Sequence, residues 1–133
     1  METERLGGRL NTALAVVLAS GRLLIGGAIW GAPNPALRAL GFDPAEPQAR
    51  TLGRLTATRD LATGALALAV LDEAGATRRV ALLGAAIDAG DAAAFMVARR
   101  GAVPAHGAAL GAPAALLATA AGVFLASRLR HRS

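Results

Sequence analysis

The chain has 133 residues and a formal net charge of +5; 54% of its residues are hydrophobic, 17% are charged and none is cysteine. The length predicts one domain, and a composition this apolar is typical of a membrane protein rather than of an ordinary soluble domain. The absence of cysteine excludes a disulfide framework and a thiolate metal site.

The basic residues are all arginine and lie mainly at the ends of the predicted segments. Only 3% of the residues are aromatic, and no basic run has aromatic residues between its charges. The sequence therefore argues against nucleic acid as a partner. Arginines at segment ends instead fit the anionic lipid headgroups beside a membrane.

An apolar stretch from Leu10 to Trp30 follows the polar start of the chain. It is longer than the apolar region of a signal peptide, so we predict a retained first helix over residues 10–30. Arg22 places one charge inside this helix, and Trp30 ends it, where a tryptophan is common at a membrane interface.

The connection from Gly31 to Gly53 carries four prolines, which exclude a long helix. Its Ala36–Phe42 segment is predicted to form one or two helical turns on the membrane surface, with Arg38 outward. The fold therefore has one long, proline-rich loop between its first and second main helices.

The second predicted helix, residues 54–71, combines an apolar composition with a narrow polar stripe. Thr56, Arg59, Asp60 and Thr63 recur at helical spacing on roughly one face. In lipid, such a stripe is expected to face the interior of a helix bundle, where a buried charge is costly and usually functional. The functional site is predicted to lie beside this stripe.

Two further helices are predicted over residues 80–98 and 106–129, after a tight polar turn at Asp72–Arg79. Pro113 is expected to bend the last of them. We therefore predict an all-α fold, a four-transmembrane-helix bundle that forms a single integral membrane domain over residues 1–133.

Small residues four positions apart, such as Gly27 and Gly31, are expected to let neighbouring helices approach closely in lipid. The alternative fold is a soluble four-helix bundle. These helices lack the broad charged face that such a bundle needs in water, which argues against it.

Charged residues from three predicted helices fall in one layer of this bundle. Counted at about 1.5 Å per residue from the side where the first helix ends, they lie about 8–15 Å deep. The candidate catalytic residues are Asp60, Asp88 and Asp91. The candidates for binding substrate or for pairing with these charges are Arg22, Arg59 and His106, the last at the rim of the same side.

Three aspartates against two arginines leave one carboxyl of this layer without a cationic partner, and it is expected to stay protonated. A neutral carboxylic acid beside a carboxylate suits general acid/base catalysis and also proton-coupled transport. The structural alternative is that the arginines simply neutralise the aspartates and fix the helix register. No ligand motif for a metal and no nucleotide, flavin or haem motif is present, so no cofactor is predicted.

Several short motifs recur in an order that is known from one group of proteins: a proline-bearing loop ending near Leu40–Gly41, then Arg54, Arg59-Asp60-Leu61 and Gly64, then Asp88–Asp91, then His106. In these motifs the chain resembles small four-helix membrane proteins, common in actinobacteria, that are classed as a domain of unknown function and have a DoxX-like layout. The resemblance covers nearly the whole chain. It implies the fold and the location of the site, and no activity, because the group has none assigned.

Three functions follow from this pattern. The first is a membrane enzyme that performs acid/base chemistry on a lipophilic small molecule: epoxide opening, isomerisation or cyclisation. The second is a proton-coupled transporter, and the third is a non-catalytic membrane subunit. The predicted partners are membrane lipids, the lipophilic molecule and a second copy of the chain in a dimer. Arginine is more frequent on the side of the two termini, which predicts a multi-pass protein of the cell membrane with both termini in the cytoplasm.

Overall fold

The computed structural model describes residues 2–98 and 105–130, and side chains over 8–97 and 111–130. All the regular structure in those residues is helical, which confirms the predicted all-α class. The five helices are α1 (Glu2–Gly31), α2 (Pro33–Ala39), α3 (Pro47–Ala69), α4 (Ala74–Ala98) and α5 (Ala105–Leu129).

The proline-rich connection contains more helix than its sequence predicts. Pro33 and Pro47 each stand at the start of a helix, where the missing N–H of proline has no intrahelical partner to lose. Helix α2 ends at Ala39 and is followed by Gly41, whose φ of 83° lies in the left-handed region that favours glycine. There the amide of Phe42 donates to the carbonyl of Leu37 at 2.9 Å and the amide of Gly41 to that of Arg38 at 3.0 Å, which is a Schellman motif.

The predicted polar turn between the second and third main helices is too long. Helix α4 already begins at Ala74, so Asp72–Arg79 is largely helical rather than a turn. The hydroxyl of Thr77 donates to the carbonyl of Val70 at 2.6 Å, and its amide donates to the carbonyl of Glu73 at 2.8 Å. These bonds fix a short connection and let a polar segment form the first turns of α4.

The main helices pack as two pairs, α1 with α3 and α4 with α5. In the first pair, an added Cβ on Gly26 would lie 2.8 Å from the carbonyl oxygen of Ala57. In the second pair, a Cβ on Gly122 would lie 3.1 Å from the carbonyl oxygen of Ala81. Close packing through small residues was predicted, but an added Cβ on Gly27 or Gly31 meets nothing within 4 Å, so the expectation for those two glycines is wrong.

Three of the described helices are long and apolar enough to cross a membrane, over Gly8–Gly31, Ala74–Val97 and Gly111–Leu129. This fits a membrane protein, although four such helices were predicted. Helix α3 is not among the three, because Arg54, Arg59 and Asp60 lie within its apolar part. Many large apolar side chains are exposed on the outside of the bundle, among them Leu24, Val97 and Leu117.

Candidate functional site

Arg22 of α1 joins three helices through its guanidinium group. Its Nη1 donates to Oδ1 of Asp60 on α3 at 3.1 Å, and its Nη2 donates to Oδ2 of Asp88 on α4 at 2.8 Å. The same Nη2 also donates to the carbonyl oxygen of Gly84 at 2.9 Å. The side chain of Arg22 is only 13% exposed, so these contacts replace solvent almost completely.

Arg59 forms the second centre of the site. Its Nη1 and Nη2 donate to the two carboxylate oxygens of Asp91 at 3.0 and 2.7 Å, which is the bidentate geometry that makes an arginine–carboxylate pair strong. Nη2 also lies 3.1 Å from Oδ1 of the neighbouring Asp60. Asp60 therefore contacts both arginines through one oxygen atom.

These contacts form one chain of alternating charge, which we call the ion-pair network: Asp88, Arg22, Asp60, Arg59 and Asp91. The prediction that these residues from three helices meet in one layer is confirmed. The prediction that one carboxyl has no cationic partner is wrong, because Asp60 lies between the two arginines and Arg22 is shared by two carboxylates. Three carboxylates still meet only two guanidinium groups, so the network carries one negative charge when all its members are ionised.

The local sequence of α4 makes room for this network. Gly84, Asp88 and Asp91 follow one another at helical spacing and lie on one face. An added Cβ on Gly84 would lie 3.1 Å from Nη2 of Arg22, a separation at which the guanidinium would have to move. Glycine at this position therefore lets Arg22 reach both the backbone and the carboxylate of α4.

The ion-pair network lies on the wall of a cavity of about 650 Å³ between the two helix pairs. Arg22 and all three aspartates line this cavity, with Thr56. The remainder of its wall is mostly alanine, leucine, isoleucine, valine and phenylalanine. A mostly apolar cavity with a few convergent polar groups is the usual form of a site for a small molecule.

Helix α2 lines part of the cavity, a position that was not predicted from the sequence. Leu37 is only 2% exposed, and it packs against the position of Gly53, where an added Cβ would lie 2.9 Å from its Cδ2. Phe42 and Phe95 also line the cavity, with ring centroids 6.4 Å apart. Helix α2 was predicted to lie on the membrane surface; Leu37 and the facing Gly53 were the signals that it is anchored to the bundle.

One predicted site residue, His106, cannot be placed relative to this geometry. His106 lies in the first turn of α5, and its side chain is outside the part of the chain whose side chains are described. Among the described residues, no group of three or more histidine, cysteine, aspartate or glutamate side chains is arranged to hold a metal ion.

Comparison of the chain with protein-family models, with curated proteins and with solved structures finds no match. The resemblance to DoxX-like membrane proteins therefore stays a prediction. The chemistry of the site has to be inferred from its own residues.

The three carboxylates are not equivalent. Both oxygens of Asp91 accept hydrogen bonds from Arg59. The arginine contacts of Asp60 use only Oδ1, and the contact of Asp88 uses only Oδ2. Each of these two carboxylates therefore keeps one oxygen that no arginine holds, on the wall of the cavity.

Proposed function

We propose that the chain is an integral membrane protein in which α3 crosses the membrane together with α1, α4 and α5. At about 1.5 Å per residue, a helix as long as α3 spans the roughly 30 Å hydrocarbon core of a bilayer. Its central charges, Arg59 and Asp60, are paired inside the bundle. On its outside it exposes apolar side chains, among them Leu55 and Leu66. Protein that is released from membranes by an alkaline carbonate wash would contradict this proposal.

The position of Arg54, in the first half of α3, also fits a membrane protein. The guanidinium carbon of Arg54 lies 5.5 Å from the centre of the Trp30 ring, a cation–π contact. Tryptophan and arginine are both common at the boundary between lipid tails and headgroups. This contact supports a position of Arg54 from which its long side chain extends toward the membrane interface near the end of α1.

Within this bundle, we propose that the cavity binds a lipophilic small molecule and that Asp60 and Asp88 perform acid/base chemistry on it. The observation that carries the proposal is that the ion-pair network lies on the wall of a large apolar cavity. A network that only held the helices together would be expected to be enclosed by packed side chains. Here Asp60 and Asp88, each with one oxygen that no arginine holds, line a space large enough for a ligand.

The carboxyl group in excess over the two arginines carries the proton for this chemistry. With one proton on Asp60 or Asp88, the three carboxyl groups and two guanidinium groups of the network are electrically balanced. In the opening of an epoxide, the protonated carboxyl donates to the epoxide oxygen as the carbon–oxygen bond breaks. The ionised carboxylate takes a proton from the water that attacks the carbon, so the product is a diol and the pair again holds one proton. Isomerisation of a double bond uses the same two groups, one to add a proton and the other to remove one.

A proton-coupled transporter is the second candidate function. The length of the cavity favours it, since the lining residues run from Phe42 near one end of the bundle to Thr77 and Leu125 near the other. A carboxyl that exchanges its proton for a ligand part-way along such a path is what coupling requires. Flux of a lipophilic ligand into proteoliposomes that depends on an imposed pH gradient would favour the transporter over the enzyme.

The test of the enzyme combines a panel of substrates with matched variants. Purified protein in detergent is incubated with lipophilic epoxides and with unsaturated ketones that can isomerise, and products are measured by mass spectrometry. We expect product with the wild type and none with Asp60→Asn or Asp88→Asn, in protein whose helical content and melting show that it is folded. If those variants and Asp91→Asn only lower the melting temperature and no product forms, the network is structural and the chain is a non-catalytic subunit.

A pair of glycines on α1 provides a test that leaves the charges unchanged. Gly21 lines the cavity, and an added Cβ on it meets nothing within 4 Å. Gly27 is equally unobstructed but is exposed on the outside of the bundle. Gly21→Leu is expected to fill part of the cavity and reduce turnover, whereas Gly27→Leu should leave it unchanged. Equal turnover in the two variants would contradict a reaction in this cavity.

A further inference from the structure

The charge of the cavity wall indicates what kind of molecule the cavity accepts. Its charged lining residues, among those that the structure describes, are Arg22, Glu46, Asp60, Asp88 and Asp91. Only one of these five is cationic. Arg59 neutralises the charge of Asp91 but does not itself line the cavity.

The negative charge that remains is concentrated beside Arg22. Asp60 and Asp88 share this guanidinium, 3.1 and 2.8 Å from its two terminal nitrogens, and Asp60 also contacts Arg59, whose charge is balanced by Asp91. Each has a second oxygen that no arginine holds. A carboxylate that is removed from water without a full compensating charge is costly, so a positive group that reaches these two carboxylates from the cavity would be favoured.

The part of α5 whose side chains the structure describes adds no charge to the cavity. Helix α5 contributes Gly111, Ala114, Ala115, Ala118, Gly122 and Leu125 to the cavity, all of them uncharged. This wall suits the apolar body of a ligand. Arg22 is the cationic lining residue that an anionic ligand could contact, and its guanidinium already binds two carboxylates.

We propose that the molecule bound in the cavity is a lipophilic amine in its protonated form. Its ammonium group hydrogen-bonds to Asp60 and Asp88, and its apolar body lies against α5. The inference deepens the function proposed above and rests on it, because both require a ligand in this cavity. It adds that the ligand carries one positive charge and binds where the network would otherwise hold a proton. Because a bound ammonium group replaces that proton, the inference fits the second candidate function, a proton-coupled transporter, better than the epoxide opening, which needs the proton on Asp60 or Asp88.

Three probes with one apolar cage and different polar groups test this proposal: aminoadamantane, hydroxyadamantane and adamantane carboxylate. Binding is measured by equilibrium dialysis and by thermal shift, with the wild-type protein in nanodiscs of phosphatidylcholine, and empty nanodiscs correct for partition into lipid. The amine is expected to bind on the order of tenfold more tightly than the alcohol, and the carboxylate more weakly than either. This ranking is obtained on the wild type and does not depend on the folding of a variant.

A matched pair of variants assigns the preference to the network. Asp88→Asn removes one negative charge from the cavity wall and should abolish the preference for the amine over the alcohol. Asp72→Asn makes the same change at an exposed residue outside the cavity and should leave the preference intact. If both variants lose it equally, the overall charge of the protein causes the preference and the proposal is wrong.

The possible failures are distinguishable. If none of the three probes binds, the cavity is not a ligand site, and the proposed function fails together with this inference. If the alcohol or the carboxylate binds as tightly as the amine, ligand binding stands and only the assignment of a cationic ligand is overturned.

Discussion

At the scale of single residues, Arg22 is the most connected member of the ion-pair network. Two carboxylates and a backbone carbonyl depend on its guanidinium, and it is less exposed than Arg59, at 13% against 33% of the side chain. Loss of one partner from a buried ion pair leaves the other charge uncompensated. The cost of a substitution should therefore follow how deeply the carboxylate that it leaves without a partner is buried.

Arg22→Ala is accordingly expected to lower the free energy of unfolding by about 3–5 kcal/mol, since Asp88 loses its arginine and Asp60 keeps only Arg59. Arg59→Ala should cost less, because the carboxylate that it leaves without an arginine, Asp91, is 34% exposed, whereas Asp88 is 14% exposed. Arg22→Lys should recover only part of the loss, because one ammonium group cannot reproduce the two-sided contact of a guanidinium. Unfolding monitored by circular dichroism in detergent measures all three; a smaller effect of Arg22→Ala than of Arg59→Ala would contradict the assigned geometry.

Gly84 tests the contact between Arg22 and the backbone of α4. Its added Cβ would lie 3.1 Å from Nη2 of Arg22, and three hydrogen bonds hold that guanidinium in place. Gly84→Ala is therefore expected to lower the melting temperature. Gly90→Ala is the matched control on the same helix, where the Cβ meets nothing within 4 Å and alanine should stabilise the helix by up to about 1 kcal/mol. Similar melting temperatures for the two variants would show that Arg22 does not depend on this glycine.

At the scale of the helices, two tightly packed pairs enclose the cavity. Within the α1–α3 pair, an added Cβ on Gly64 would lie 2.9 Å from the carbonyl oxygen of Ala19. A backbone atom cannot move aside as a flexible side chain can, so the two helices would have to separate. The small residues therefore set the distance between α1 and α3, and with it the position of Arg22 relative to Asp60.

Gly64→Ala should consequently cost about 1–3 kcal/mol of stability through overpacking. It should also weaken ligand binding in the cavity, because it displaces α1 from α3 at the level of the network. Gly27→Ala, on the outside of α1, should do neither. Melting curves and probe binding on the two variants check this expectation, and unchanged melting of Gly64→Ala would mean that the pair is less tightly packed than described.

At the scale of the whole molecule, we predict that both termini lie in the cytoplasm. Seven arginines belong to the side of the termini and five to the other side, and positive residues favour the cytoplasmic side. The first group is Arg5, Arg9, Arg78, Arg79, Arg128, Arg130 and Arg132, and the second is Arg38, Arg50, Arg54, Arg99 and Arg100.

Ser133→Cys introduces a single thiol into a chain without cysteine, which makes the orientation measurable. We expect a membrane-impermeant maleimide to label it only after the cells are opened. Labelling in intact cells would reverse the predicted orientation. Partial labelling in both experiments would indicate dual topology, and this outcome would favour the transporter over the enzyme.

The sequence by itself determined the helical class and the depth of the charged residues. Apolar segments of the length of a bilayer indicate helices, and the rise per residue places Arg22, Asp60 and Asp88 at similar depths whatever the packing. It did not determine the helix boundaries in the loops. Local hydrogen bonds decide these, such as the Schellman motif at Gly41 and the bonds of Thr77.

Only the tertiary structure decided which charges pair and what they face. The position of a residue in the sequence gives its depth along the helix axis but not the rotation of the helix about that axis. The sequence alone therefore did not determine which arginine pairs with which aspartate. The rotation is set where small residues such as Gly26 and Gly64 let backbones touch. That packing makes Asp60 the link between two arginines and leaves a cavity of about 650 Å³ beside it, because the two helix pairs pack closely within themselves and less closely against each other.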